Sequence, residues 1–168
     1  VSTVPPQHMY GFETTMLLPL LGICCLQCER PLFPEDVRQT LAKTPEPRFL
    51  ITTPVHLRTF VEFGGDMPPV LGMASATAPL SRSLAAASEA KFGAPLTEIF
   101  GSTETGVTAT RRTTHDEPWK IIDLFDFEPR QEGTCVRARH FAEEVLLQDV
   151  IEPEGARHFR LIGRNGDL

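Results

Sequence analysis

Between Arg48 and Phe100 the chain alternates short apolar runs with segments of helical spacing, and each change carries its own stop or cap. Arg48 to Thr52 reads as a strand. Thr53 then caps a helix that has Pro54 in its first turn and buries Leu57, Phe60 and Val61. Pro68 and Pro69 break the chain before a strand over Val70 to Ala76. Ser81 caps an Ala-rich helix running to Phe92, with Gly93 as its left-handed stop, and Leu96 to Phe100 forms the next strand. Parallel strands need long crossovers, and helices at this spacing supply them. The expected class is α/β, a mostly parallel sheet with flanking helices.

Upstream, Val1 to Val4 is a β-prone run ended by Pro5-Pro6, which delivers Gln7-His8-Met9-Tyr10-Gly11 into a loop. Phe12 to Leu21 reads as a buried helix and Gly22 to Cys28 as the strand after it. Pro34, Glu35 and Asp36 suit a helix start, and Val37 and Leu41 recur at helical spacing. Beyond Gly106 the texture changes to short alternating runs: Val107 to Thr113, Trp119 to Phe127, Thr134 to Phe141, Glu144 to Ile151 and His158 to Ile162. Such runs between polar turns describe a small antiparallel β lobe. The expected division is 1–113 for the α/β part, 114–162 for the lobe and 163–168 for a closing segment.

A chain of 168 residues is long enough to bury a real core. Its net charge of -6 and lack of Lys/Arg runs argue against a nucleic-acid surface. The longest apolar run, Thr15 to Leu26, holds Pro19 and Gly22 and falls short of the roughly 20 residues a membrane span needs. No basic leader or cleavage site precedes it, so a cytoplasmic setting is expected. Cys25-x-x-Cys28 has metal-ligand spacing, but a second ligand pair is missing. Cys24, Cys25, Cys28 and Cys135 read more simply as small buried thiols in a reducing compartment. His56, His115, His140 and His158 share no ligand spacing. Arg111-Arg112, Asp116, Glu117 and Glu143-Glu144 read as solvated charges, and Trp119 as the anchor of the lobe.

The segment with most chemical content is Ile99-Phe100-Gly101-Ser102-Thr103-Glu104-Thr105-Gly106. Glycine permits close approach, and Ser and Thr hydroxyls supply directional hydrogen bonds to a phosphate. A carboxylate beside them would repel phosphate unless Mg²⁺ bridges the two, which is the place for Glu104. The alternative is a plain turn whose hydroxyls cap backbone groups.

Other segments narrow the choice. Ala76-Thr77-Ala78-Pro79-Leu80-Ser81 precedes this one, followed by a helix and Phe92-Gly93-Ala94-Pro95-Leu96. Gln148-Asp149-Val150 and Gly163-Arg164-Asn165-Gly166-Asp167 come after it, and His8-Met9-Tyr10-Gly11 before all of them. In this order they resemble the adenylate-forming acyl- and aryl-CoA synthetases, the AMP-dependent ligases. The resemblance covers most of residues 1–112 and 145–168.

The resemblance implies catalytic roles for Thr103 at the adenylate phosphate and Glu104 at magnesium. It places Phe100, where the family has Tyr, against adenine, with Gly101 and Ser102 in the phosphate turn. Thr77, Ala78 and Pro79 would line the nucleotide pocket through their backbone, and Asp149 would bind the ribose hydroxyls. Arg164 would reach ribose or phosphate, and Asp167 would be the hinge to a small C-terminal domain. His8, Met9, Tyr10 and Gly11 would face the carboxylic acid, with an aromatic or medium unsaturated acid preferred.

The implied cofactors are ATP, released as AMP, and Mg²⁺, with CoA or the phosphopantetheine of an acyl carrier protein as thiol acceptor. Two departures stand out. Leu147-Gln148 replaces the family's Thr-Gly, and Glu104 and Asp149 are closer in sequence than in most members. The chain opens on a strand and stops in a polar motif, so a piece of a longer protein is expected. It carries neither the family's upstream Ser/Thr/Gly-rich loop with its lysine nor the C-terminal lysine domain, and without that positive charge it is expected to be inactive alone. The rival reading is a non-catalytic nucleotide-binding or scaffold protein of the same fold. Exposed sheet edges would favour a homo-oligomer.

Overall fold

The computed structural model describes residues 1–115 and 117–166. These form two compact units, 1–98 with 112–115, and 99–111 with 117–166.

In the first unit β1 (Phe49–Thr52), β2 (Gly72–Ser75) and the start of β3 (Leu96–Ser102) run parallel, with Leu50 opposite Met73 and Met73 opposite Leu96. Val1–Val4 lies alongside β1: Thr3 N–H donates to Ile51 O at 2.9 Å and Ile51 N–H to Val1 O at 3.0 Å. The crossovers are α4 (Pro54–Glu62) and α5 (Arg82–Phe92), preceded by α3 (Pro34–Lys43). Val37 and Leu41 of α3, Leu57 and Phe60 of α4 and Phe92 of α5 close over Leu50, Met73 and Leu96 in one core. Phe60 and Phe92 meet edge to face, 6.1 Å between centroids.

The caps are made as the sequence predicts. Thr53 Oγ1 accepts His56 N–H at 3.4 Å, Ser81 Oγ accepts Leu84 N–H at 3.2 Å, and Gly93 ends α5 with φ of 64°.

The second unit holds the end of β3, β4 (Gly106–Arg111), β5 (Trp119–Ile121), β6 (Phe125–Arg130), β7 (Gly133–Ala138), β8 (Val145–Leu147), β9 (Asp149–Pro153) and β10 (His158–Arg164). Strands β4, β5, β10 and β9 pair antiparallel in that order, and β6, β7 and β8 form a separate antiparallel sheet. Trp119, Ile121, Phe125, Val136, Ile151 and Phe159 are buried together. The order expected from sequence, helix-covered parallel strands followed by an antiparallel lobe, is the fold.

Several local expectations fail. Residues 9–20 are helical, as α1 (Met9–Phe12), a π-helical turn (Glu13–Leu17) and α2 (Leu18–Leu20), but not buried: Leu20 is 78% exposed. Among the described residues only Tyr10, Gly11 and Thr15 of this stretch are covered.

No strand follows. Gly22, read as a strand start, is the helix stop: at φ of 73° it lets Gly22 N–H reach Pro19 O and Ile23 N–H reach Leu18 O, at 2.9 and 3.2 Å. Residues 24–32 then run unpaired, and Cys24, Cys25 and Cys28 are exposed, leaving Cys135 as the buried thiol. Among the described residues no cluster of His, Cys, Asp or Glu is suited to a metal ion.

Three of the charges read as solvated are engaged instead. Arg111 lies over the Trp119 ring at 4.5 Å, a cation–π contact, and Arg112 donates to Glu89 at 2.7 Å. Glu144 accepts from Arg130 and Arg137, which hold its carboxyl down at about 2. Among the described residues no helix is long and apolar enough to cross a membrane.

Candidate nucleotide-binding site

In the second unit the segment Gly101–Gly106 is the turn between β3 and β4. A Cβ on Gly101 would stand 2.1 Å from Gly106 O, so the two strands close to a distance that only glycine allows. Ser102 N–H donates to Thr105 Oγ1 at 3.3 Å, and Thr105 N–H to Ser102 Oγ at 3.3 Å. Their hydroxyls lie 3.1 Å apart, and Thr105 Oγ1 also donates to Gly106 O at 3.1 Å. This reciprocal tie is the alternative that the sequence leaves open, a turn whose hydroxyls cap backbone groups, made by Ser102 and Thr105.

The tie closes the turn and leaves Thr103 and Glu104 exposed at its tip. The Ser102 hydroxyl and the Glu104 N–H hold the Glu104 carboxyl below its ordinary range, so it is ionised at neutral pH. A hydroxyl and an ionised carboxylate side by side on an exposed turn form an oxygen donor set that fits Mg²⁺ with a phosphate.

Phe100, on the strand into this turn, packs against Trp119 and Phe159, each 5.5 Å away, and Phe127 at 6.5 Å. The ring is held by three others and remains only half-buried. In the same unit Asp149 and Arg164 are directly opposed across β9 and β10, Arg164 Nε standing 3.5 Å from Asp149 Oδ1. Thr134 Oγ1 fixes the backbone there by donating to Asp149 O at 2.6 Å.

In the first unit Thr77, Ala78 and Pro79 form an exposed loop after β2. Thr77 has φ of 80°, and among the described residues it alone lies at positive φ without being glycine. A β-branched residue there is strained by about 1–3 kcal/mol, and such strain collects at ligand-binding loops.

His8 is exposed at the start of α1, and Met9 is half-buried. Gly11 lies beneath the Pro5 carbonyl, 2.0 Å from where a Cβ would be. The Tyr10 hydroxyl is buried near the Thr52 backbone without a hydrogen bond of good geometry, and burial pushes its pKa up.

The predicted residues are divided between the units: 8–11 and 77–79 lie in the first, and 100–104, Asp149 and Arg164 in the second. Asp167 lies outside the described residues. Two cavities of about 230 and 430 Å³ open elsewhere on the first unit, lined by residues including Glu29 and Thr40, and Arg48 and Pro69; neither contains a predicted site residue.

Comparison with known proteins bears on both units. The chain is 33% identical over 164 residues to a 4-coumarate–CoA ligase of Rhodobacter capsulatus, a match covering 98% of this chain and 40% of that protein. A benzoate CoA ligase from Burkholderia xenovorans superposes with a TM-score of 0.80 at 16% identity, over 98% of this chain and 41% of its own. The anthranilate CoA ligase AuaEII, solved with anthranoyl-AMP, gives 0.80 at 14% identity, over 99% and 39%. These two structures share the fold, and the chain spans about 40% of the curated relative's length. Residues 1–125 match the AMP-binding enzyme family, and the chain belongs to that family.

Proposed function

We propose that the chain is part of a carboxylic acid:CoA ligase that forms an acyl adenylate from ATP and then a thioester. The observation that carries this reading is the tied turn presenting Thr103 and Glu104, in a chain of the AMP-binding enzyme family. The 33% identity to a 4-coumarate–CoA ligase supports CoA rather than a carrier protein as thiol acceptor, and an aromatic acid as substrate.

In this reading Thr103 donates to the α-phosphate while Glu104 carries the Mg²⁺ that neutralises phosphate charge. Phe100 offers its half-exposed ring to adenine, and the strained Thr77–Pro79 loop supplies backbone groups to the base. Asp149 accepts from the ribose hydroxyls, and Arg164 orients Asp149 and reaches toward ribose or phosphate. Gly101 and Ser102 keep the turn tight, and His8, Met9, Tyr10 and Gly11 meet the acid. The chain by itself is read as a nucleotide-binding piece without turnover, and Asp167 as the hinge residue of the whole ligase.

Calorimetric titration of the chain with AMP and with a non-hydrolysable aroyl-adenylate analogue tests the proposal. Binding of both, tighter for the analogue and lost in Asp149→Ala, is expected. Failure of wild type to bind either ligand, or unchanged binding by Asp149→Ala, overturns the site.

A further inference from the structure

Glu98 has no part in the nucleotide site described above, yet it is a carboxylate only 4% exposed. It stands on β3 opposite Ser75 of β2. Its Oε1 accepts Leu80 N–H at 3.2 Å, and its Oε2 accepts the Thr113 hydroxyl at 2.7 Å. Leu80 is the buried residue that ends the exposed Thr77–Pro79 loop, and Thr113 opens a single 3-10 turn, Thr113–His115. Both segments are irregular, and neither has a strand ladder to hold it.

A buried carboxylate is costly unless donors surround it, and a core residue of the same size would fill the position without that cost. Core packing therefore does not account for Glu98. A fixed acceptor pair between two donors does. It pins the C-terminal foot of a loop whose Thr77 is already strained at φ of 80°, and a strained conformer persists only where its surroundings over-determine it. The Thr113 hydroxyl fixes the other oxygen, so the carboxylate cannot rotate away from Leu80.

We infer that Glu98 is a positioning residue for the adenine-binding loop: its carboxylate, bridged between Leu80 N–H and the Thr113 hydroxyl, holds Thr77–Pro79 in the conformation that receives the base. The inference rests on the nucleotide-site reading above and adds a determinant of base recognition that touches no ligand. Gln at 98 could keep both bonds, since its oxygen still accepts from Leu80 N–H and its amide can donate to a Thr113 hydroxyl turned to accept. Ala at 98 keeps neither. Val at 113 removes one arm without disturbing the Leu80 bond.

The experiment compares AMP with ribose 5-phosphate, which lacks the base, for wild type, Glu98→Ala, Glu98→Gln and Thr113→Val. Each protein's fold is checked by circular dichroism. For Glu98→Ala the expected loss is about tenfold in AMP affinity, the scale of one well-made hydrogen bond, with ribose 5-phosphate binding unchanged. Glu98→Gln restores most AMP affinity, and Thr113→Val gives an intermediate loss. A merely structural role would weaken both ligands together or neither, and either result overturns the inference. If Glu98→Ala does not fold, Thr113→Val carries the test: equal loss for both ligands, or none, overturns it. Wild type that binds no AMP refutes the nucleotide site itself, an outcome distinct from a wild type that binds while the variants match it.

Discussion

Asp149 and Arg164 face each other as a directly opposed pair across two antiparallel strands, Nε to Oδ1 at 3.5 Å, with the aspartate largely covered and the arginine 63% exposed. At that distance and exposure the pair adds little to stability, about 0–1 kcal/mol. Its value is orientation, since strand register and the Thr134 bond fix where the Asp149 carboxylate stands.

Asp149→Asn is therefore expected to fold with an unchanged midpoint and to lose AMP affinity by about tenfold or more, because hydrogen bonds to a charged acceptor contribute about 1.5–3 kcal/mol. Titration with 2′,3′-dideoxy-AMP isolates the cause. Wild type and Asp149→Asn should bind that analogue equally. A remaining difference would remove Asp149 from the ribose.

Thr77 makes an opposite pair of expectations. Glycine relieves the strain at φ of 80° and gives back part of the gain as unfolded-chain entropy. Thr77→Gly should stabilise the chain by about 1 kcal/mol, raising Tm by about 2–4 °C, while weakening AMP. Calorimetric scanning and titration on one sample check both. Lower Tm would mean the threonine conformation is not strained.

At Gly101 the expectation is steric. A methyl group would meet the Gly106 carbonyl at 2.1 Å, and backbone cannot yield as a side-chain tip can. Gly101→Ala should open the β3–β4 turn, cost about 1–3 kcal/mol in denaturant unfolding and abolish Mg²⁺-dependent binding of the adenylate analogue. Thr103→Ala should leave unfolding unchanged, since Thr103 is exposed and outside the Ser102–Thr105 tie. If the two variants unfold alike, the turn is not closed as described.

The α/β half was legible because its signals are local. Thr53, Ser81 and Gly93 each cap a helix within four residues, and the prolines stop the runs between them. The opening third misled for a physical reason: the run Leu20-Leu21-Gly22-Ile23-Cys24-Cys25-Leu26 has strand composition, but a strand exists only where a neighbour takes its hydrogen bonds. The residue that should have decided it was Gly22, a helix stop rather than a strand start.

In the site, motif order places Thr103, Glu104, Asp149 and Arg164 in the chain, yet nothing local tells that the last two are cross-strand partners. Their register depends on an irregularity between Leu161 and Gly163 that only pairing reveals. The left-handed Thr77 and the buried Glu98 are likewise tertiary facts, since neither residue type signals its own conformation or burial.

His56 gives the pH dependence. Its Nδ1 lies 2.8 Å from Thr3 Oγ1, and burial lowers its pKa from the ordinary value. Well above pH 6.5 the imidazole is neutral in folded and unfolded chains alike, and His56 costs the fold nothing. As pH falls below that value the unfolded chain takes up a proton that the folded chain resists, so stability is lost until the lower folded pKa is passed. The acidic groups with lowered values, Glu35 at about 2, Glu144 at about 2 and Glu104, act only at more acid pH, beneath the ordinary carboxylate range. Urea unfolding of wild type and His56→Gln between pH 7.5 and about 5 should therefore diverge only below about 6.5, wild type falling more steeply. Parallel curves would show that His56 titrates alike in both states, and a wild type gaining stability toward pH 5 would mean that the folded chain prefers its imidazolium.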